Sequence, residues 1–207
     1  MSDSLERMAD FDLTPEQREV RYTVREFAEK EILPHVEKFE EEERYPLELI
    51  AKLPAMGLLG PMIPEEYGGS FSDVVTYGII CEEIARVDWV VASVISVSNS
   101  LCAGSLLNFG NDAQKEKFLP GITRGEIICS ACLTEPGGGT DLGNMQTTAK
   151  KVDGGWLING TKAWITNAAS STVIVAYAQT EPGTGARGIA SFLIDGTQEG
   201  FERVAPY

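Results

Sequence analysis

Two short runs hold the side chains best suited to chemistry: Leu133-Thr134-Glu135-Pro136-Gly137-Gly138-Gly139-Thr140-Asp141, and further along Trp164-Ile165-Thr166-Asn167. Consecutive glycines let a backbone approach a ligand closely and turn its N–H groups toward it, which suits a phosphate or the edge of a flavin ring. Thr134 and Thr140 flank the glycines with hydroxyls that both donate and accept, and Trp164 offers a flat apolar face for a planar ring. Glycine-rich loops also close hairpins, so the glycines alone do not separate a turn from a ligand cradle.

Leu-Thr-Glu-Pro-Gly-x-Gly-[Ser/Thr]-Asp followed at this separation by Trp-Ile-Thr-Asn closely resembles the acyl-CoA dehydrogenase family. The resemblance runs the length of the chain: Leu13-Thr14-Pro15-Glu16-Gln17, Pro64-Glu65-Glu66-Tyr67-Gly68-Gly69, Cys81-Glu82-Glu83-Ile84-Ala85 and Gly160-Thr161-Lys162-Ala163-Trp164 are all similar to the family's segments. It implies FAD as cofactor and an acyl-CoA thioester as substrate. In the implied reaction a base takes the proton α to the thioester carbonyl while hydride leaves the β-carbon for the flavin, so positioning is most of the task.

Carried over by position, the resemblance assigns Ala131, Leu133, Thr134, Gly139 and Thr140 to the flavin and its pyrophosphate, and Trp164, Ile165 and Thr166 to the ring edge. Thr134 and Thr166 would hydrogen-bond the ring's polar edge and raise its electron affinity. Thr140 stands where the family usually has serine; it keeps the hydroxyl and so a contact with cofactor or CoA phosphates. Ser93, Val94, Val97 and Leu101 fall on the helix similar to the family's acyl-pocket floor, and ordinary helix packing explains such residues equally well.

Family members run to nearly twice the 207 residues present. The chain therefore reads as a front half, a fragment lacking the helices that supply the family's catalytic carboxylate, and no residue is given that role. Glu135 lies inside the motif, but Pro136 and Gly137 beside it mark it as a residue that fixes the loop. The resemblance further implies an electron-transferring flavoprotein as electron acceptor and a homo-oligomer, dimer or tetramer, for the intact protein. Two other readings stay open: a flavin oxidase or monooxygenase on the same scaffold, and a catalytically inert binding or assembly module.

Acidic residues outnumber basic ones 31 to 17, a net charge of −14 that disfavours nucleic acid and anionic membranes as partners. Glu37 and the run Glu40-Glu41-Glu42-Glu43 read as a solvated face. The four cysteines, Cys81, Cys102, Cys129 and Cys132, sit in apolar runs and are expected to pack as reduced thiols. Cys129 and Cys132, three apart on an expected strand, should face opposite ways, which excludes a metal or redox pair. His35, the sole histidine, is expected on an exposed helix face. The first residues carry neither an export core nor transit-peptide chemistry, and the expected compartment is cytoplasmic. Residues 90–107 are the most apolar stretch, but serines interrupt them, so a buried helix is expected there and no membrane span.

The elements that must position these residues change character along the chain, and the fold class expected is α+β: an all-α domain over residues 1–123, then a β-barrel or sandwich over 124–207, with residues 1–12 flexible. Thr14, Pro15 and Gln17 start a helix that Pro34 should kink or break, Pro46 restarts one carrying Leu47, Ile50 and Leu53 up to Gly57, and Asp73 caps another with Tyr77, Ile80, Ile84 and Val87 inward. Asn111 or Asp112 opens a last helix expected to end before Pro120. Strands are expected at 127–133, 145–152, 156–159, 163–166, 172–178, 189–194 and 201–204, with hairpin-type turns at Asp153-Gly154-Gly155 and Asn159-Gly160.

Overall fold

The computed structural model describes residues 12–70 and 72–203. The expected strand end at 204 and all but Asp12 of the expected flexible start lie outside these residues. Helix α1, Pro15–Phe27, begins on the full capping box: Thr14 accepts from Gln17 N, and the Gln17 side chain returns to Thr14 N. Pro34 does not break the rod that α1 begins. A π-turn, Ala28–Ile32, widens the rod before α2, Leu33–Glu41, and a widened turn absorbs a ring that lacks an N–H and crowds the preceding carbonyls.

Helix α3, Leu47–Ile50, is a single turn, shorter than the apolar spacing suggests, and a 3₁₀ turn at Pro54–Met56 closes on left-handed Gly57. Asp73 caps α4, Val74–Ala85, by accepting from Val75 N and Thr76 N. Next come α5, Trp89–Ser96, a π-turn at Val97–Ala103, and α6, Gly104–Phe109, in one continuous rod. Asn111 then caps α7, Asp112–Thr123. This helix passes through Pro120 and does not end before it. Leu119 and Ile122 on either side are wholly buried, and Thr123 Oγ1 donates to the Pro120 carbonyl at 2.9 Å, so burial offsets the lost backbone bond.

The first core joins α1 to α5 through Val24, Ile32, Leu49, Leu53, Ile84 and Val94. Glu83, buried at the α1–α4 contact, accepts from Arg25 Nε and Nη2, each at 2.8 Å, with Arg21 and Arg86 at 3.3 Å. The Arg25 hydrogen bonds, with the charges of Arg25, Arg86 and Arg21, outweigh burial and hold its carboxyl below the usual range.

The β-region is a five-stranded mixed sheet of β1 (Cys129–Cys132), β2 (Thr148–Val152), β3 (Gly155–Asn159), β4 (Val173–Gln179) and β5 (Ile189–Asp195). β4 is central: β1 runs parallel to its first four residues, β5 antiparallel along its whole length, and β2 meets its end at Gln179 before turning back as β3. Period-two alternation divides the sheet. Cys129, Ala131, Val173, Val175 and Leu193 face the helical layer at Val97, Cys102, Leu106 and Ile122, whereas Cys132, Ile174, Ala176 and Ile194 face Ile165 and Phe201. Cys129 and Cys132 thus point to opposite faces, all four thiols are free, and His35 is exposed.

Two of the expected strands do not form among the described residues. At 163–166 the backbone of Trp164 is left-handed, φ 59°, which no ladder accepts. Over 201–203 a turn at Gly200 and the Arg203 guanidinium, which donates to the carbonyls of Ala168, Ser171 and Gly196, replace strand pairing. Asn159-Gly160 is no hairpin either; Gly160 is needed because a Cβ there would strike Thr147.

The rod Trp89–Phe109, 21 residues containing an 18-residue stretch of mean hydropathy 1.7, is by length and composition long and apolar enough to cross a membrane. Its polar side chains do not break it, because Ser93, Asn99, Ser100, Ser105 and Asn108 each bond a carbonyl one turn back. Here it packs on α4 and β1.

Candidate functional site

Glu135 organises the motif loop. Its backbone closes the Pro136-Gly137 turn, exchanging N–H···O bonds of 3.0 and 3.1 Å with Gly138. Its buried carboxylate accepts from Gln146 N at 2.6 Å, Thr147 N at 2.8 Å, the Thr147 hydroxyl and Lys162 Nζ at 3.0 Å. Burial alone pushes such a group up; the Thr147 hydroxyl, the two backbone N–H groups and Lys162 outweigh it and hold the pKa at about 2. A carboxylate so occupied does not take protons from a substrate. Glu135 is an anchor, as its sequence neighbours suggest.

The second run is zipped onto the first. Lys162 Nζ donates to the Leu133 carbonyl at 3.1 Å, and Ala163 N donates to the Thr134 carbonyl at 3.0 Å. The chain then turns through two left-handed residues, Trp164 at φ 59° and Asn167 at φ 65°. Between them Ile165 packs on the outer sheet face and Thr166 is exposed. The Trp164 ring is 69% exposed. Asn167 is buried: its Nδ2 donates to the Cys129 carbonyl at 3.1 Å and its Oδ1 accepts from Tyr45 OH at 2.8 Å.

The glycines divide into two kinds. Gly139 lies against Thr134, where a Cβ would come within 3.2 Å of Oγ1. At Gly137 and Gly138 a Cβ would meet no atom of the described residues within 4 Å, and neither backbone is left-handed. Gly138 closes the turn, at the variable position of the motif, so turn geometry accounts for it; the bare Gly137 is left unexplained by packing, and an open surface above it is what a close-lying ligand requires.

Leu133 and Thr134 are half-buried beside this opening and Thr140 is exposed. Ala131 faces the helical layer from β1. The four acyl-floor candidates are not gathered on one cavity wall. Val94 is sealed in the helical core, Val97 packs against the sheet, Ser93 spends its hydroxyl on the Val90 carbonyl, and Leu101 is exposed. A cleft of about 510 Å³, lined in part by Lys150, Lys151, Trp156 and Gln179, takes no lining residue from the motif loop. Sequence reasoning passed over Lys162, Thr147 and Tyr45. Lys162 stood beside the second run as a visible signal, whereas Tyr45 is 122 residues from its partner and carried none.

Residues 14–126 match the family model described as acyl-CoA dehydrogenase, N-terminal domain, and residues 130–207 match acyl-CoA dehydrogenase, middle domain. An acyl-CoA dehydrogenase of Bacillus subtilis is 39% identical over 91% of this chain and 50% of its own length. The structure of butyryl-CoA dehydrogenase from Megasphaera elsdenii superposes with a TM-score of 0.86 at 37% identity, covering 92% of this chain and 51% of that one. A glutaryl-CoA dehydrogenase from Mycobacterium smegmatis, solved in complex with FADH2, gives 0.85 at 34% identity over 91% of this chain and 47% of that one. The chain thus spans about half the length of the relatives it matches. With the motif loop, the clamped Trp-Ile-Thr-Asn run and both domain matches in agreement, this chain belongs to the acyl-CoA dehydrogenase family.

Proposed function

We propose that this chain carries the flavin-holding half of an enzyme that dehydrogenates an acyl-CoA thioester between its α- and β-carbons. The observation that carries the reading is Gly137, a fixed glycine of the motif, whose missing side chain opens onto free space beside Thr134 and the zipped Trp164 run. FAD supplies the two-electron acceptor when bound. The residues that would hold it are Thr134, Gly139 and Thr140 at the loop, with the half-buried Ala131 and Leu133 behind them, and Trp164, Ile165 and Thr166 at the ring.

Each has a task that follows from its chemistry. Backbone N–H groups of the loop favour an anionic pyrophosphate, the hydroxyls of Thr134 and Thr166 donate to a ring edge that gains negative charge on reduction, and Trp164 covers an apolar face. Glu135, held ionised near pKa 2 and fully bonded, keeps the loop in shape and moves no proton. The α-proton goes to a carboxylate outside these 207 residues. Acyl-CoA is the substrate, and of the four helix residues only the half-buried Ser93 and the exposed Leu101 are open to it; an electron-transferring flavoprotein is the acceptor, and the intact protein is a homo-oligomer.

The test is anaerobic dye reduction by an acyl-CoA, using the FAD-reconstituted chain alone and mixed with a C-terminal half of a relative. Turnover only in the mixture is expected. Turnover by this chain alone would mean that it contains its own base, Glu135 being the first to examine.

A further inference from the structure

We infer that Tyr45 is a positioning residue for the flavin-holding run, acting through Asn167; the inference rests on the proposed flavin role for its ligand, but not for its geometry. The run 164–167 contains two non-glycine residues in left-handed conformation, Trp164 at 59° and Asn167 at 65°. Such backbone persists only where its surroundings over-determine it. At the entry the constraint is Ala163 N bonded to the Thr134 carbonyl; at the exit the Asn167 carbonyl accepts from Ser170 N and Ser171 N, and the Asn167 side chain alone bridges to other layers of the fold. Its amide nitrogen holds the Cys129 carbonyl on β1, and its amide oxygen holds Tyr45 OH, at 2.8 Å, from the segment joining α2 and α3.

Asn167 is buried, with 7% of its surface exposed, and Tyr45 packs against the helical core. Both amide groups of Asn167 are thereby satisfied by partners that belong to opposite sides of the molecule. Removing the Tyr45 hydroxyl leaves a buried amide oxygen without its donor, and the cheapest relief is rotation of Asn167, which frees the exit of the run that carries Trp164. The helical layer therefore sets the pose of the flavin platform through one phenol.

The experiment uses the 207-residue chain with Trp89→Phe and Trp156→Phe, so that Trp164 is its only indole, and compares Tyr45→Phe with Tyr77→Phe. Tyr77 also donates its hydroxyl, to the Ser96 carbonyl at 3.3 Å, but in the helical layer, and so controls for a lost phenol bond as such. Tyr45→Phe is expected to increase acrylamide quenching of Trp164 and to weaken FAD binding about fivefold, the worth of roughly one hydrogen bond. Tyr77→Phe should leave both within about twofold. In an Asn167→Gly background, which keeps the left-handed backbone but has no amide, Tyr45→Phe should add no further change.

Unchanged Trp164 quenching in Tyr45→Phe, equal effects from Tyr77→Phe, or full additivity with Asn167→Gly each overturns the inference. If no variant binds FAD, the flavin reading fails while the Trp164 quenching still decides the role of Tyr45.

Discussion

Lys162 Nζ stands 3.0 Å from Glu135 Oε1 and 3.1 Å from the Leu133 carbonyl, so one ammonium group ties the second motif to both ends of the first motif's opening residues. The bridge is nearly dry, with side-chain exposures of 13% for Lys162 and 8% for Glu135. Such a pair is strongly destabilising when one partner alone is removed, because the other is left buried and charged.

Glu135→Gln is accordingly expected to lower stability by on the order of 3 kcal/mol near neutral pH. The folded pKa of about 2 lies below the ordinary value of 4.5. The stabilisation is therefore complete above about pH 4.5 and is lost as pH falls through 2. Urea denaturation of wild type and Glu135→Gln from about pH 2 to about pH 7 checks this: the two curves should converge at the acid end, and a constant difference would place the effect elsewhere.

Trp164→Gly keeps the left-handed backbone and removes the indole, so FAD binding should weaken about fivefold. Trp156→Ala should spare the flavin. Its ring meets Phe192 edge-on at 5.4 Å between centroids, so it costs stability and leaves flavin affinity within about twofold. Thermal melts with flavin-fluorescence titrations separate the two outcomes, and equal flavin effects would remove the case for Trp164.

Limited proteolysis should cut first in the loop 181–185. Pro182, Gly183 and Thr184 are exposed, and Gly183 and Gly185 are left-handed at 88° and 64°. Of the glycines at 121 and 125, Gly121 is protected: Gly121, Ile122 and Thr123 are buried in the last turn of α7. Early cleavage at 121–123 would contradict that packing.

The helix starts were legible because capping is local chemistry. Thr14 with Gln17, Asp73 and Asn111 each sit within three residues of the N–H groups they satisfy. Sheet faces were legible for a similar reason, since Cys129 and Cys132 obey period-two alternation whatever their partners. Pro120 misled because burial of Leu119 and Ile122 is a tertiary quantity. The run 163–166 misled because its apolar residues look like a strand, whereas it turns left-handed at Trp164 and is tied to Thr134, Cys129 and Tyr45, partners far off in sequence. For the same reason Glu135 could be marked as a loop residue, but not Thr147 and Lys162 as its partners.

The central claim is that the open space above Gly137 belongs to FAD, and Gly137→Leu tests it most directly. No atom of the described residues stands within 4 Å of a Cβ there, so the melting temperature should stay within about 2 °C of wild type. Flavin-fluorescence titration of the two proteins should then show FAD affinity at least about tenfold weaker in Gly137→Leu, because the side chain occupies the ligand's place. Equal affinity in a fully folded Gly137→Leu protein would contradict the account, as would a wild-type chain that takes up no FAD at all.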